Sequence, residues 1–238
     1  MISLRGIEHH YEGVQALSGI DLDVHVGGIL GIVGANGAGK STLGRILHGD
    51  LQSTGGTRTF NGTNVLRLSL VPEGRALFRT LSVRENLEVA AYAAGISGRR
   101  LRTRLEELQQ GLPPERVRTR MDIPAGSLSG GEQQLVAIAR AMMADPEVLI
   151  LDEPALGLSP AMVEEVYSQV NDMARRGITT ILLDQSLARA LEACSEVVVL
   201  REGEAVARGN SGMPGFDQIA EAAYFGTAVP AGVGEVHR

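Results

Sequence analysis

Cysteine occurs once in the 238 residues, at Cys194; tryptophan is absent, and aromatic residues make up only 3%. A single cysteine excludes an internal disulfide and fits a reducing compartment. As a lone thiol it reads as a small buried hydrophobe rather than a reactive group. The scarcity of aromatics leaves few platforms for stacking bases. Positive charge is also in deficit: the formal charge of −6 argues against a protein whose main task is gripping nucleic-acid phosphates. No stretch approaches the roughly 20 apolar residues a membrane span needs, and the opening MISLRGIEHH has no apolar leader core. The expectation is a cytosolic protein that meets a membrane only through a partner.

What is present is a composition of ordinary globular type, 44% apolar and 21% charged. Four apolar runs, ILGIVG (29–34), VLILDE (148–153), TTILLD (179–184) and EVVVLREG (196–203), continue without alternation. That pattern belongs to strands buried on both faces of a parallel sheet. Stretches of helical period, 132–144 and 160–176, lie between them, so the expected core is layered α/β. Ahead of it, ISLRGIEHHY and SGIDLDVHV alternate apolar with polar residues, as an antiparallel sheet with one wet face does. From Ser82 to about Met121 the chain reads as helix, opened by the capping box Ser82–Glu85. Arginines recur there at 99, 100, 102, 104, 116, 118 and 120, interleaved with Glu106, Glu107 and Glu115. They read as a solvated helical face rather than a nucleic-acid patch. The stretch after Gly226, TAVPAGVGEVHR, is expected to be a flexible tail.

The segment GANGAGKST, Gly34 to Thr42, follows one apolar run and precedes LGRIL, where a helix is expected to begin. It matches the pattern of a phosphate loop, in which glycines let backbone N–H groups curl around phosphates at a helix N-terminus. Gly34, Ala35, Asn36, Gly37, Ala38, Gly39 and Thr42 would form that cradle. Lys40 would reach the β- and γ-phosphates and Ser41 would ligate Mg²⁺. Downstream, Asp152 stands at the end of an apolar run, placed to hold Mg²⁺ through water. Glu153 follows it, placed to orient an attacking water. The residues therefore point to a nucleoside triphosphatase.

The segment LSGGEQQ, residues 128–134, narrows the reading. Locally, Ser129–Glu132 is a second capping box, and Gly130 and Gly131 expose amides to an anion. Placed shortly before an acid-ended strand, it closely resembles the signature motif of ATP-binding-cassette (ABC) ATPases. The resemblance runs from Tyr11 to Gly226. It implies one ATPase domain over 1–226 with a helical subdomain at about 82–139 inserted in the core. It also implies that Tyr11 stacks on adenine. Ser129, Gly130 and Gly131 would bind the γ-phosphate of ATP held by a second ATPase subunit in a head-to-tail dimer. Glu73 stands where the family usually has a metal-touching glutamine, and Gln185 stands in place of the usual switch histidine. Ser159 replaces a common aspartate and would serve as N-cap before Pro160.

These departures, together with VPEGR, LSVRENL, DEPALGLSP and IAEAAYFG, look like the second ATPase subunit of branched-chain amino acid importers. The urea and amide importer subunits are closely similar. Residues 49–70 and the helical subdomain are shorter than that subfamily usually has. The resemblance implies transmembrane permease partners, a substrate-binding protein acting at one remove, and a place at the cytoplasmic face of the membrane. Two other readings stay open: a soluble ABC ATPase acting on ribosomes or DNA, and a module that binds ATP with weak hydrolysis.

Overall fold

Continuous branched apolar runs become strands when both sheet faces are covered, and the two halves of each run then serve two cores. The computed structural model describes residues 1–60, 66–111 and 115–228. Strands β1 (Ile2–Tyr11) and β2 (Val14–Val24) lead into β3 (Ile29–Val33), α1 (Lys40–His48), β4 (Gly55–Phe60) and β5 (Leu68–Val71). Helices α2 (Val83–Ala93), α3 (Gly98–Gly111), α4 (Glu115–Arg118) and α5 (Gly130–Met142) follow. The remainder alternates: β6 (Val148–Asp152), α6 (Pro160–Arg175), β7 (Thr179–Asp184), α7 (Leu187–Ala193), β8 (Glu196–Arg201), β9 (Glu204–Asn210) and α8 (Phe216–Phe225).

The strands form two sheets, an antiparallel one in the order β2-β1-β4 and a larger one in the order β5-β6-β7-β3-β8-β9. In the larger sheet β5 to β8 run parallel and β9 is antiparallel at one edge. Alternate residues of its inner strands face opposite ways. Val33, Leu149, Leu151, Leu182, Val197 and Val199 pack with α2, α3 and α5 to α8. Leu30, Ile32, Ile150, Ile181, Leu183 and Val198 pack with α1 and the antiparallel sheet. This explains runs that never alternate. The expected α/β core with a mainly parallel sheet, an antiparallel N-terminal sheet and added helices is what the chain forms. Cys194 lies in the first of these cores at 3% exposure, its thiol pushed up to about 12 by burial and then by Asp184. A Cβ added at Gly31 would sit 2.8 Å from its Sγ, so the thiol rests directly on bare strand backbone.

Three local expectations are corrected. Residues 82–121 do not form one helix: α2 stops at Ala94, and Gly95 at φ 73° turns the chain before α3 begins. Ser159 holds the N-cap position with Pro160 behind it, but its side chain makes no capping hydrogen bond. The helix after the glycine loop starts at Lys40, three residues before Leu43, because Gly39 adopts the left-handed N-cap conformation. Both expected capping boxes, Ser82–Glu85 and Ser129–Glu132, are formed reciprocally. Along α3, Arg99, Arg100 and Arg102 are exposed while Leu101, Leu105 and Leu108 are buried, so that face is solvated as expected. Most of the expected tail, 229–238, lies outside the described residues.

Candidate active site

Parallel pairing aligns strand ends, and the C-terminal edge of a parallel sheet is where its loops can converge on a ligand. Val33 lies opposite Asp184, and Asp152 opposite Leu183. That register brings the exits of β3, β6 and β7 to one edge, carrying Gly34, Glu153 and Gln185. The Gly34 amide donates to the Asp184 carbonyl at 3.3 Å. A Cβ at Gly34 would fall 2.2 Å from the Leu200 carbonyl oxygen, so only glycine lets the loop leave β3 beside β8. At Gly39, φ is 102° and a Cβ would meet the Ala16 carbonyl at 2.6 Å, which seats the loop against β2. Ala35, Asn36 and Gly37 form an exposed crest, and Ala38 is buried. Helix α1 has no side-chain cap and no acid in its first turn. Its leading N–H groups are thus left for an anion.

Lys40 is 5% exposed, and its ammonium donates to the carbonyls of Gly34 at 2.8 Å and Ala35 at 3.1 Å. It also lies 3.2 Å from Glu153 Oε1. Both partners are buried, so neither charge is screened by water. Burial raises the Glu153 carboxyl above the usual range; Lys40 opposes the shift, Asp184 adds to it, and a hydrogen bond from Gln185 opposes it again. Glu153 sits at φ 48°, a left-handed backbone uncommon outside glycine, with its amide held by the Leu183 carbonyl at 2.9 Å. The constraint aims its side chain back at Lys40 rather than along the strand.

Asp152 is 6% exposed and its carboxyl is also raised, first by burial and further by Glu73, while Ser41 and Lys40 pull it down. Oδ1 of Asp152 is buried with no hydrogen-bond partner. An orphaned carboxylate oxygen beside a hydroxyl suits a hard cation such as Mg²⁺. Among the described residues no group of three or more His, Cys, Asp and Glu side chains could hold a metal ion alone. Further oxygens would therefore come from phosphate and water, the usual arrangement for Mg²⁺.

The Gln185 segment is fixed by residues that sequence reasoning missed. The Tyr167 hydroxyl of α6 donates to Asp184 Oδ2, and the Ser186 amide to Asp184 Oδ1 at 2.8 Å. The Tyr224 hydroxyl of α8 donates to the Gln185 carbonyl at 2.9 Å. The loop after Glu73 is held from α5. Arg140 donates to the carbonyls of Ala76 at 2.6 Å and Arg75 at 3.1 Å, and Arg75 to Gln134 at 3.3 Å. Asn86, fully buried, accepts from the Phe78 amide and donates to the carbonyls of Phe78, Leu81 and Ser82. No local pattern marks the pairings of Tyr167, Tyr224, Arg75 and Arg140, whose partners come from other elements or loops.

The expected site residues thus fall into groups. Gly34, Ala35, Lys40, Ser41, Glu73, Asp152, Glu153 and Gln185 share contacts or charge interactions. Tyr11 is 41% exposed at the β1–β2 hairpin, paired with Val14 and edge-on to His9 at 4.5 Å. Ser129, Gly130 and Gly131 open α5. The Ser129 hydroxyl donates to Glu132 at 2.8 Å.

A family model described as ABC transporter matches residues 17–156. The high-affinity branched-chain amino acid transport ATP-binding protein BraG of Pseudomonas aeruginosa is 34% identical over 216 residues, 87% of this chain and 91% of that protein. The chain belongs to the ABC transporter family. As an ABC ATPase of a transporter, it binds and hydrolyses ATP. The autoinducer 2 import ATP-binding protein LsrA of Enterobacter sp. is 32% identical, over 89% of this chain but only 43% of that protein. A dimeric ATP-binding cassette in a post-hydrolysis state with ADP and Pi shares the fold. Its TM-score is 0.77 at 24% identity, over 90% of this chain and all of that one. ABC ATPases work as dimers with transmembrane permease subunits. Among the described residues of this one, no helix is long and apolar enough to cross a membrane.

Proposed function

We propose that this chain is the ATP-hydrolysing subunit of an importer for branched-chain or related amino acids. The observation that carries the catalytic half is the buried Lys40–Glu153 pair at the sheet edge where β3 and β6 end on either side of β7. The substrate half is supported by BraG, whose length the chain matches nearly end to end; LsrA, named for another cargo, is matched over less than half.

In this reading the loop Gly34 to Thr42 cradles the ATP phosphates with its amides and Tyr11 stacks on adenine. Lys40 exchanges the loop carbonyls and Glu153 for phosphate oxygens. That exchange releases Glu153 to accept a proton from the attacking water, while Gln185 holds its carboxylate in place. Ser41, Asp152 and, on closure, Glu73 would hold Mg²⁺. When bound, that ion supplies charge neutralisation on the phosphate oxygens. Ser129, Gly130 and Gly131 serve the ATP of a second ATPase subunit, identical or not, in a head-to-tail pair. Residues 1–226 act as one ATPase domain in which about 82–139 form the helical part that meets the permease. The assembly lies at the cytoplasmic face of the membrane and is fed by a substrate-binding protein.

The test is ATP turnover by the assembled transporter in vesicles, with a binding protein loaded with leucine, urea or ribose. Stimulation by leucine alone supports the reading. Stimulation by ribose alone, or by none of them, overturns the substrate assignment and leaves the ATPase assignment standing.

A further inference from the structure

The Gln185 segment is held from three sides, and one of them comes from the far end of the chain. Asp184, before it, accepts from Tyr167 and gives its carbonyl to Gly34. Ser186, after it, is tied through its amide to Asp184 Oδ1. Between these two fixed neighbours the Gln185 carbonyl accepts the Tyr224 hydroxyl at 2.9 Å. Helix α8 is itself anchored where Tyr224 stands. Arg201, the last residue of β8, donates to the Ala223 carbonyl at 2.7 Å, and Gly226 at φ 70° closes the helix. The Arg201 cation also suits the negative end of the helix dipole. Leu200, one residue before Arg201, presents the carbonyl against which Gly34 packs. The tyrosine is therefore registered against the phosphate loop through β8 and against Gln185 through its own hydroxyl.

We propose that Tyr224 is a positioning residue for ATP hydrolysis, fixing the Gln185 backbone so that the Gln185 side chain stays on Glu153. The inference rests on the roles given above to Gln185 and Glu153. Tyr224 touches none of the reacting atoms; it acts through its neighbour. Burial and the two nearby carboxylates, Glu153 and Asp184, raise its hydroxyl, so it stays a donor throughout the neutral range. A donor to a backbone carbonyl sets where the peptide sits, and the next rotatable bonds belong to the side chain that steadies the base. Removing only that oxygen leaves the ring, and its edge-on contact with Phe225 at 5.2 Å, in place.

The test compares Y224F, Q185A and the double variant as full chains in the assembled transporter, by kcat, KM for ATP and thermal midpoint. Loss of one hydrogen bond that positions a reacting group lowers rate by about three- to tenfold. Y224F is expected to lose that much in kcat with KM unchanged and the midpoint lowered by no more than about 2–4 °C. In the Q185A background the same change is expected to have no further effect, because no side chain remains to be positioned. If Q185A is slow and Y224F turns over at the parent rate, Tyr224 is not a positioning residue. If Y224F slows Q185A by the same factor as the parent, its role is structural and independent of Gln185. If Q185A itself matches the parent, the role given to Gln185 fails and this inference fails with it.

Discussion

At the residue scale, the site sets two buried carboxylates against one buried ammonium, and their roles separate by environment. Glu153 faces Lys40 directly, whereas Asp152 keeps an unpartnered oxygen. Glu153→Gln preserves shape and removes the proton acceptor, so ATP binding should persist while turnover falls by roughly 10²- to 10⁴-fold. Nucleotide retention and single-turnover hydrolysis in the assembled transporter check both halves. Asp152→Asn removes a buried charge and should stabilise the nucleotide-free chain at pH 7 by about 0.5–2 kcal/mol. The parent Asp152 has its folded pKa raised, so the folded state binds protons more readily than the unfolded chain. Parent stability contributed by this group therefore rises as pH falls through the folded value towards 3.8, and the advantage of the asparagine should shrink there. Urea midpoints at pH 7 and near pH 4 measure it; an advantage that grows on acidification contradicts the assignment. The grouping of Lys40, Ser41, Asp152 and Glu153 was legible because motif spacing at strand ends is local. Tyr167 and Tyr224 were not, since they reach Asp184 and Gln185 from 17 and 39 residues away through the packing of α6 and α8.

At the scale of elements, the loop between β5 and α2 is where core and helices are tied together. Its carbonyls at Arg75 and Ala76 go to Arg140 of α5, and its far end, at Phe78 and Leu81, is bound by Asn86. Asn86→Ala would leave the Phe78 amide unpaired, while the carbonyls of Phe78, Leu81 and Ser82 keep the amides of Leu81, Ala125 and residue 86, and should cost about 1–3 kcal/mol, read from urea unfolding of the full chain. Glu73, at the start of the same loop, should tolerate glutamine, since Mg²⁺ accepts either oxygen. Alanine there should lower partner-stimulated ATP hydrolysis sharply with ATP binding retained; equal rates for Glu, Gln and Ala would return the residue to a solvent role. Strands and capping boxes could be read from the sequence because they depend on neighbours in sequence. The break at Gly95 and the missing Ser159 bond could not, because helical period persists across the glycine and a cap side chain needs a particular rotamer.

At the scale of the whole molecule, Gly130 and Gly131 open α5 whereas the phosphate loop opens α1, and in the proposed pair the two segments serve ATP molecules held by different subunits. Ser129→Arg should therefore spare ATP binding by the single chain and abolish turnover in the assembled transporter. Loss of binding by the isolated chain, or full activity in the complex, would contradict a site shared between two subunits. The layered architecture was legible because two-faced burial leaves unbroken apolar runs; the order β5-β6-β7-β3-β8-β9 was not, since it depends on crossovers that no single run records. The packing of Cys194 against Gly31 has a practical side. A sole thiol at 3% exposure, pushed up to about 12, reacts only when the core opens. The natural chain thus serves as its own cysteine-free background: a cysteine introduced on the β1–β2 hairpin or on α5 can take a fluorophore or spin label selectively. Distances across the proposed head-to-tail pair can then be followed through the ATP cycle without altering the native sequence elsewhere.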